Sequence, residues 1–238
     1  MKRHAADLPK IIDLPKLRNR VRVFRDRAAA GKVLAGMLEK YRGSDALVMG
    51  IPAGGMAVAV ELARELLLPL DIAVVNKITL PWNSEAGYGA VAFDGTVILN
   101  EALLSRLNLS DQEIRTGIKK TEKKVSRRVA MFRENRPLPD FKKPILLVDD
   151  GLASGFTLRV AIKALRRNGA ANVILAVPTA HSESVEMVLE EVEAIYCPNL
   201  RGGPSFAVAD AYEQWSDLDE QEVFRLLREL KKPDNEGV

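Results

Sequence analysis

Two adjacent carboxylates, Asp149 and Asp150, precede the run Gly151-Leu152-Ala153-Ser154-Gly155-Phe156-Thr157. Small residues in such a run leave backbone N–H groups open to an anion, and Ser154 and Thr157 add hydroxyls beside them. The carboxylates can accept hydrogen bonds from a diol but would repel a second anion. An anion cradle next to diol acceptors is chemistry for a ribose 5-phosphate. A plain turn is the structural alternative, because Asp-Asp-Gly is also good turn chemistry. What surrounds the run favours the cradle. Ile145–Val148 reads as a buried parallel strand. From Thr157 onward, Leu158, Ala161, Ile162 and Leu165 recur at helical spacing until Gly169 stops the helix. Strand, bend and helix start would aim the positive helix end at one spot.

A second bend, Pro52-Ala53-Gly54-Gly55, follows the apolar run from Ala46 to Ile51 and leads into a helix from Met56 to about Leu68. Its two glycines allow close backbone approach to a ligand. The spacing is not that of the dinucleotide fingerprint.

The remaining elements alternate. Asp26 can cap a helix to about Tyr41, after a short strand at Val21–Phe24. Asp71 to Val75 reads as a third strand ending in Asn76-Lys77. Thr79 to Gly89, with its Pro, Ser and Gly residues, reads as a mobile loop. Asp94-Gly95 marks a hairpin. Asn100 caps a short helix, and Ser110 to Glu113 is a capping box opening a helix over 110–136. Strands at 172–177 and 194–197, a helix from Ser182, and a last amphipathic helix after Ser216–Asp219 complete the pattern. Apolar strands alternating with helices require a parallel sheet covered on both faces, an α/β fold. Ligands of such sheets bind beyond the carboxyl ends of the strands, where both bends fall.

The chain has 238 residues, 47% hydrophobic and 28% charged, enough for one large domain. We expect a basic, proline-punctuated arm at 1–20, a domain over 21–230 with the helix 110–136 inserted, and a tail at 231–238. The net charge of +3 by itself indicates neither nucleic acid nor membrane, and the single cysteine, Cys197, excludes an internal disulfide. No signal peptide or spanning segment is legible. A soluble, reducing, cytoplasmic setting fits.

The stretch from Ile145 to Thr157 resembles the thirteen-residue PRPP-binding motif of type I phosphoribosyltransferases: four apolar residues, an acidic pair, two usually apolar residues, then small-small-Gly-x-Thr. Gly151 departs from the family's usual aliphatic residue. The resemblance implies a twisted parallel sheet with a hood over the site. It implies Asp149 and Asp150 on the ribose hydroxyls, touching a metal only through PRPP, and the bend through Thr157 around the 5-phosphate. Pro52–Gly55 is similar to the family's diphosphate loop, although many relatives carry a basic residue where Ala53 stands. The implied reaction joins the ribose 5-phosphate of PRPP to a nitrogenous base and releases diphosphate, with Mg²⁺ as cofactor and a homodimer as the expected assembly.

Within that resemblance Lys77, at the tip of its strand, is a diphosphate contact by position, though surface lysine is the plainer reading of the residue type. The segment 79–89 is the expected lid. Glu85 within it is the candidate proton handler, because Ala153 stands where 6-oxopurine members of the family place an acid; a solvated loop glutamate is the alternative. Phe206, Tyr212 and Trp215 can stack on a base as part of the hood, and packing in the core or an interface is an equal alternative. The helix 110–136 carries nine Lys/Arg against two Glu between Arg115 and Arg136. A solvated outer face is favoured there over a nucleic-acid contact, since no aromatics interleave. A PRPP-binding regulator without catalysis is the alternative function.

Overall fold

The sequence folds around six short strands, three of them apolar and buried along their whole length. A computed structural model of the chain describes residues 10–231. Its first half contains β1 (Lys10–Ile12), α1 (Arg27–Met37), β2 (Leu47–Gly50), α2 (Gly54–Leu66), β3 (Leu70–Ile72), β4 (Val75–Leu80), β5 (Asn83–Ala92), β6 (Val97–Leu99), α3 (Glu101–Leu104) and α4 (Asp111–Arg133). There follow β7 (Ile145–Val148), α5 (Phe156–Arg167), β8 (Val173–Ala176), β9 (Thr179–His181), α6 (Ser182–Leu189), β10 (Ala194–Tyr196), β11 (Asn199–Arg201) and α7 (Glu220–Lys231).

The main sheet runs β1-β10-β8-β7-β2-β3 with every pair parallel. β7 lies inside it, in register with β2 (Leu47 opposite Ile145) and with β8 (Ile145 opposite Val173). Alternation along each strand sorts its side chains onto two faces. Val48, Leu146, Val148 and Ile174 pack with Leu34 of α1, Leu38 just past its end, and Leu62 and Leu66 of α2. Met49, Ile145, Leu147 and Leu175 pack the other face, with α5, α6 and the second sheet. This is the α/β architecture expected: a parallel sheet with helices on both faces.

The structure differs from the sequence reading in four places. Val21–Phe24 forms no strand, only a single bridge from Phe24 to Tyr212. The strand expected at 71–75 is two strands in different sheets: β3 ends the main sheet, whereas β4 opens an antiparallel sheet, β4-β5-β6, which we call the hood. Lys77 therefore stands on the hood, not at the tip of a main-sheet strand. The segment expected as an irregular lid, 79–89, is largely β-structure, with Thr79 and Leu80 paired to Gly87 and Asn83 across register shifts. The expected boundary at residue 20 falls inside the body: β1 pairs with β10, and Asn199 Nδ2 donates to the carbonyls of Leu17 and Arg20. Residues 1–9 and 232–238, with most of the expected tail and the first part of the expected arm, lie outside the described residues.

The Asp94-Gly95 hairpin, the Asn100 cap and the Ser110–Glu113 capping box are all present. Among the described residues no helix is long and apolar enough to cross a membrane.

Candidate functional site

Three helices begin where the main chain turns at or just past the carboxyl edge of the main sheet: α2, α5 and α6. Among the described residues none of these three has a side-chain cap, whereas α1, α3 and α4 are capped by Asp26, Asn100 and Ser110. Uncapped first-turn N–H groups are donors awaiting an acceptor. At α5 the cap position is Gly155, held at φ +70°, a left-handed conformation that glycine adopts without strain. Ser154 Oγ accepts weakly from the Phe156 N–H at 3.5 Å. The bend is anchored behind: Leu152 N–H donates to the Thr179 carbonyl at 2.9 Å, His181 N–H to the Leu152 carbonyl at 3.0 Å, and Ser184 Oγ–H to the Ala153 carbonyl. Ala153 and Ser154 themselves are exposed, so the rim faces outward while its base is fixed.

The two bends meet at the acidic pair. A Cβ on Gly54 would sit 1.8 Å from Asp150 Oδ2, and one on Gly55 would sit 2.8 Å from Asp149 Cα and 2.9 Å from its Oδ1. Only glycine lets the first turn of α2 lie this close to the carboxylates. The helix starts two residues earlier than its sequence pattern shows, so Gly54 and Gly55 belong to the turn with open N–H groups. The Pro52–Ala53 peptide beside them is cis.

Burial pushes the Asp149 carboxyl well above the usual carboxylate range, with the neighbouring Asp150 charge adding to the rise. Burial also raises Asp150, against the opposing pull of the Arg27 guanidinium. Asp149 Oδ1 accepts from the Asp150 N–H at 2.9 Å. Asp150 Oδ2 accepts from Arg27 Nε at 2.9 Å, and the Asp150 carbonyl accepts from the Tyr212 hydroxyl at 2.6 Å.

Over α5 the hood and the bend enclose a crevice of about 630 Å³. Lys77, Gly87 and Asn100 line it from the hood side, and Ser154, Phe156 and Thr157 from the bend. Lys77 thus shares a crevice with the bend, though from the hood sheet. Glu85 lies on β5, and its side chain falls outside the described residues. Asp149 and Asp150 do not line this crevice, nor a separate cavity of about 700 Å³ between the β4–β5 turn and the start of α4, which also lacks the bend.

Each of the three aromatics has its own packing partners. Tyr212 is 3% exposed, with Phe24 and Trp215 at ring distances of 5.8 Å and 5.2 Å, so it supports the acidic pair from below and presents no open face to a base. Trp215 carries the Arg27 guanidinium 3.8 Å above its ring. Phe206 lies against His181 and beneath Arg201. Sequence reasoning missed Arg27, which reaches Asp150 from 123 positions earlier in the chain. Its one local signal was its place directly after the α1 cap, Asp26.

Open parallel sheets hold their ligands beyond the carboxyl ends of the strands, and both bends of this chain lie there. Comparison with known proteins goes further. Residues 94–199 match the phosphoribosyl transferase domain family. Two Mycobacterium tuberculosis proteins, from strains CDC 1551 and H37Rv and provisionally named phosphoribosyl transferases, are each 32% identical over 211 residues. The matched region is 87% of this chain and 47% of each relative, so the chain spans about half the length of the curated relatives it matches. The crystal structure of TT1426 from Thermus thermophilus is 31% identical and superposes with a TM-score of 0.68, covering 87% of this chain and 98% of that one. The chain belongs to the phosphoribosyl transferase domain family.

Proposed function

We propose that the chain is a phosphoribosyltransferase, transferring the ribose 5-phosphate of PRPP to a nitrogenous base. The observation that carries the reading is the closure of both glycine-containing bends on one buried acidic pair, with Gly54 and Gly55 leaving no room for a side chain against Asp150 and Asp149. In this arrangement the bend from Gly151 to Thr157 holds the 5-phosphate, and Asp149 and Asp150 accept hydrogen bonds from the ribose hydroxyls. The open N–H groups of Gly54 and Gly55 receive the diphosphate, while Lys77, in the crevice it shares with Ser154, Phe156 and Thr157, adds a cation for the substrate's phosphates. The C1–O bond of the sugar breaks, the diphosphate leaves with the electron pair, and a base nitrogen bonds C1 as it gives up its proton.

Positive charge builds on the sugar and negative charge on the leaving group, so fixed dipoles and charges supply most of the acceleration. Asp149 and Asp150 lie where they would stabilise the cationic sugar. Among the described residues no cluster of three or more acidic, His or Cys side chains could hold a metal. The two carboxylates are oxygen donors suited to Mg²⁺ that arrives with the substrate, whose own phosphates provide the remaining oxygens. When bound, the ion would neutralise the departing diphosphate.

Ala153 leaves the bend without an acid, so the base's proton must be taken by another segment, with Glu85 on β5 as the candidate. A cytoplasmic homodimer goes with this reading, and the free, buried Cys197 is compatible with it. Incubating the chain with PRPP, Mg²⁺ and a panel of purine and pyrimidine bases, and following diphosphate release, tests the reaction. Release with at least one base is expected. Tight PRPP binding without release for any base would reject transfer and leave a PRPP-binding regulator.

A further inference from the structure

Arg27 is 8% exposed, and two separate parts of the chain, Asp150 and the pair Trp215–Ser216, hold it. Its Nε donates to Asp150 Oδ2 at 2.9 Å, its Nη1 donates to the Ser216 carbonyl at 2.7 Å, and its guanidinium lies 3.8 Å from the centre of the Trp215 ring. Trp215 rests on Tyr212, whose hydroxyl donates to the backbone carbonyl of the same Asp150. A Cβ on Gly54 would stand 3.2 Å from Arg27 Nε as well as against the carboxylate, so the first turn of α2 closes over the ion pair. The cation, its aromatic platform and the tyrosine therefore all converge on one of the two acids in the site.

A salt bridge this buried is weak evidence for stability, because desolvation cancels much of the attraction. Its position says more. Two adjacent buried carboxylates repel each other, and an unrestrained Asp150 would be free to turn away from its neighbour or take up a proton. We infer that Arg27 is a positioning residue for the site: through Asp150 Oδ2 it holds that carboxylate against the Gly54 turn as an acceptor for a sugar hydroxyl, without itself contacting the sugar. A guanidinium suits the task because its planar fork can bind a carboxylate and a carbonyl at once while stacking on an indole, which an ammonium cannot do. The same geometry gives one face of the Trp215 ring to Arg27.

This inference rests on the sugar-phosphate reading, and the test separates the two. Calorimetric titration of the full chain with PRPP, and separately with ribose 5-phosphate, is carried out with Mg²⁺ for the wild type, Arg27→Ala, Arg27→Lys, Asp150→Asn and the Arg27→Ala/Asp150→Asn double variant. Thermal melting confirms that each variant is folded. Arg27→Ala should weaken binding about ten-fold or more, the scale of one lost charge-assisted interaction. Arg27→Lys should recover part of that loss. In the Asp150→Asn background, Arg27→Ala should have almost no further effect, since residues acting through one another are not additive.

If the double variant loses the product of the two single losses, or if affinity follows melting temperature rather than charge at position 27, Arg27 is only structural and the inference fails while the sugar-phosphate reading stands. Should Asp150→Asn not fold, the Arg27→Ala and Arg27→Lys pair still decides: equal losses in both overturn the positioning role. If the wild type binds neither ligand, the sugar-phosphate reading and this inference fall together.

Discussion

At the scale of residues, the site stores unfavourable electrostatics that a ligand would relieve. Burial holds the folded Asp149 carboxyl above its ordinary value of 3.8, so the folded chain keeps a proton that the unfolded chain has lost. Stability contributed by this group therefore falls as pH rises from about 3.8 through the folded value. Asp149→Asn keeps an acceptor for the Asp150 N–H and removes the charge. The melting temperature of the variant should match that of the wild type near pH 3.5 and exceed it increasingly toward neutrality, by about 2–4 °C for each kcal/mol relieved. A difference that stays flat or reverses with pH would contradict the assigned burial.

Gly54→Ala makes the complementary test. Its Cβ needs space that Asp150 Oδ2 now occupies at 1.8 Å, so the carboxylate must swing aside. PRPP affinity should drop about ten-fold or more by titration calorimetry while the circular dichroism spectrum stays unchanged, one charged hydrogen bond being the unit lost. Unaltered affinity would show that Asp150 does not need its present position.

At the scale of elements, α4 is tied into the fold more than its basic composition announces. Arg127 and Arg128 both reach Glu220 on α7, and Arg133 donates to Asp71 of β3. Arg128 and Arg133 are thereby buried away from the stripe that a nucleic acid would need, whereas Arg127 stays exposed. Asp71→Ala leaves the Arg133 guanidinium, 3% exposed, without its carboxylate and should cost about 3–5 kcal/mol in denaturant unfolding.

Helical glycines give a sign test of the packing. A Cβ added at Gly36 of α1 would meet no other atom within 4 Å among the described residues, so Gly36→Ala should stabilise by about 0.5–1 kcal/mol. A Cβ at Gly117 of α4 would lie 2.1 Å from the Tyr88 hydroxyl, so Gly117→Ala should destabilise and push α4 off the hood. Equal effects from the two substitutions, read from denaturant midpoints, would refute the observed contact.

The hood also shows why one element was illegible in sequence. Gly87 and Gly89 on β5 look like loop residues. Yet a Cβ at Gly87 would stand 3.1 Å from Lys77 Cβ, and one at Gly89 would stand 2.8 Å from the Ile98 carbonyl. They are glycines because neighbouring strands crowd them, a reason that exists only after folding. The capping residues Asp26, Asn100 and Ser110 were legible for the opposite reason, since each bonds a backbone N–H three residues on.

At the scale of the whole molecule, residues 10–20 belong to the main body, with β1 covering the outer edge of β10. Deleting residues 1–20 should lower the melting temperature and increase aggregation seen by light scattering, because β10 would then present an unpaired edge. Unchanged melting would mean that β1 adds nothing to the sheet. The sequence by itself determined the class of fold, the strand–bend–helix around Asp149 and Asp150, and the second bend at Gly54 and Gly55. Each of these is written in local periodicity and small residues within a dozen positions. Only the tertiary structure decided that the two bends touch, that Lys77 stands on a hood, that Tyr212 lies beneath the site and that Arg27 holds Asp150. Those relations join residues up to 123 positions apart, and their energy comes from burial and charge pairing that no local segment possesses before the chain is packed.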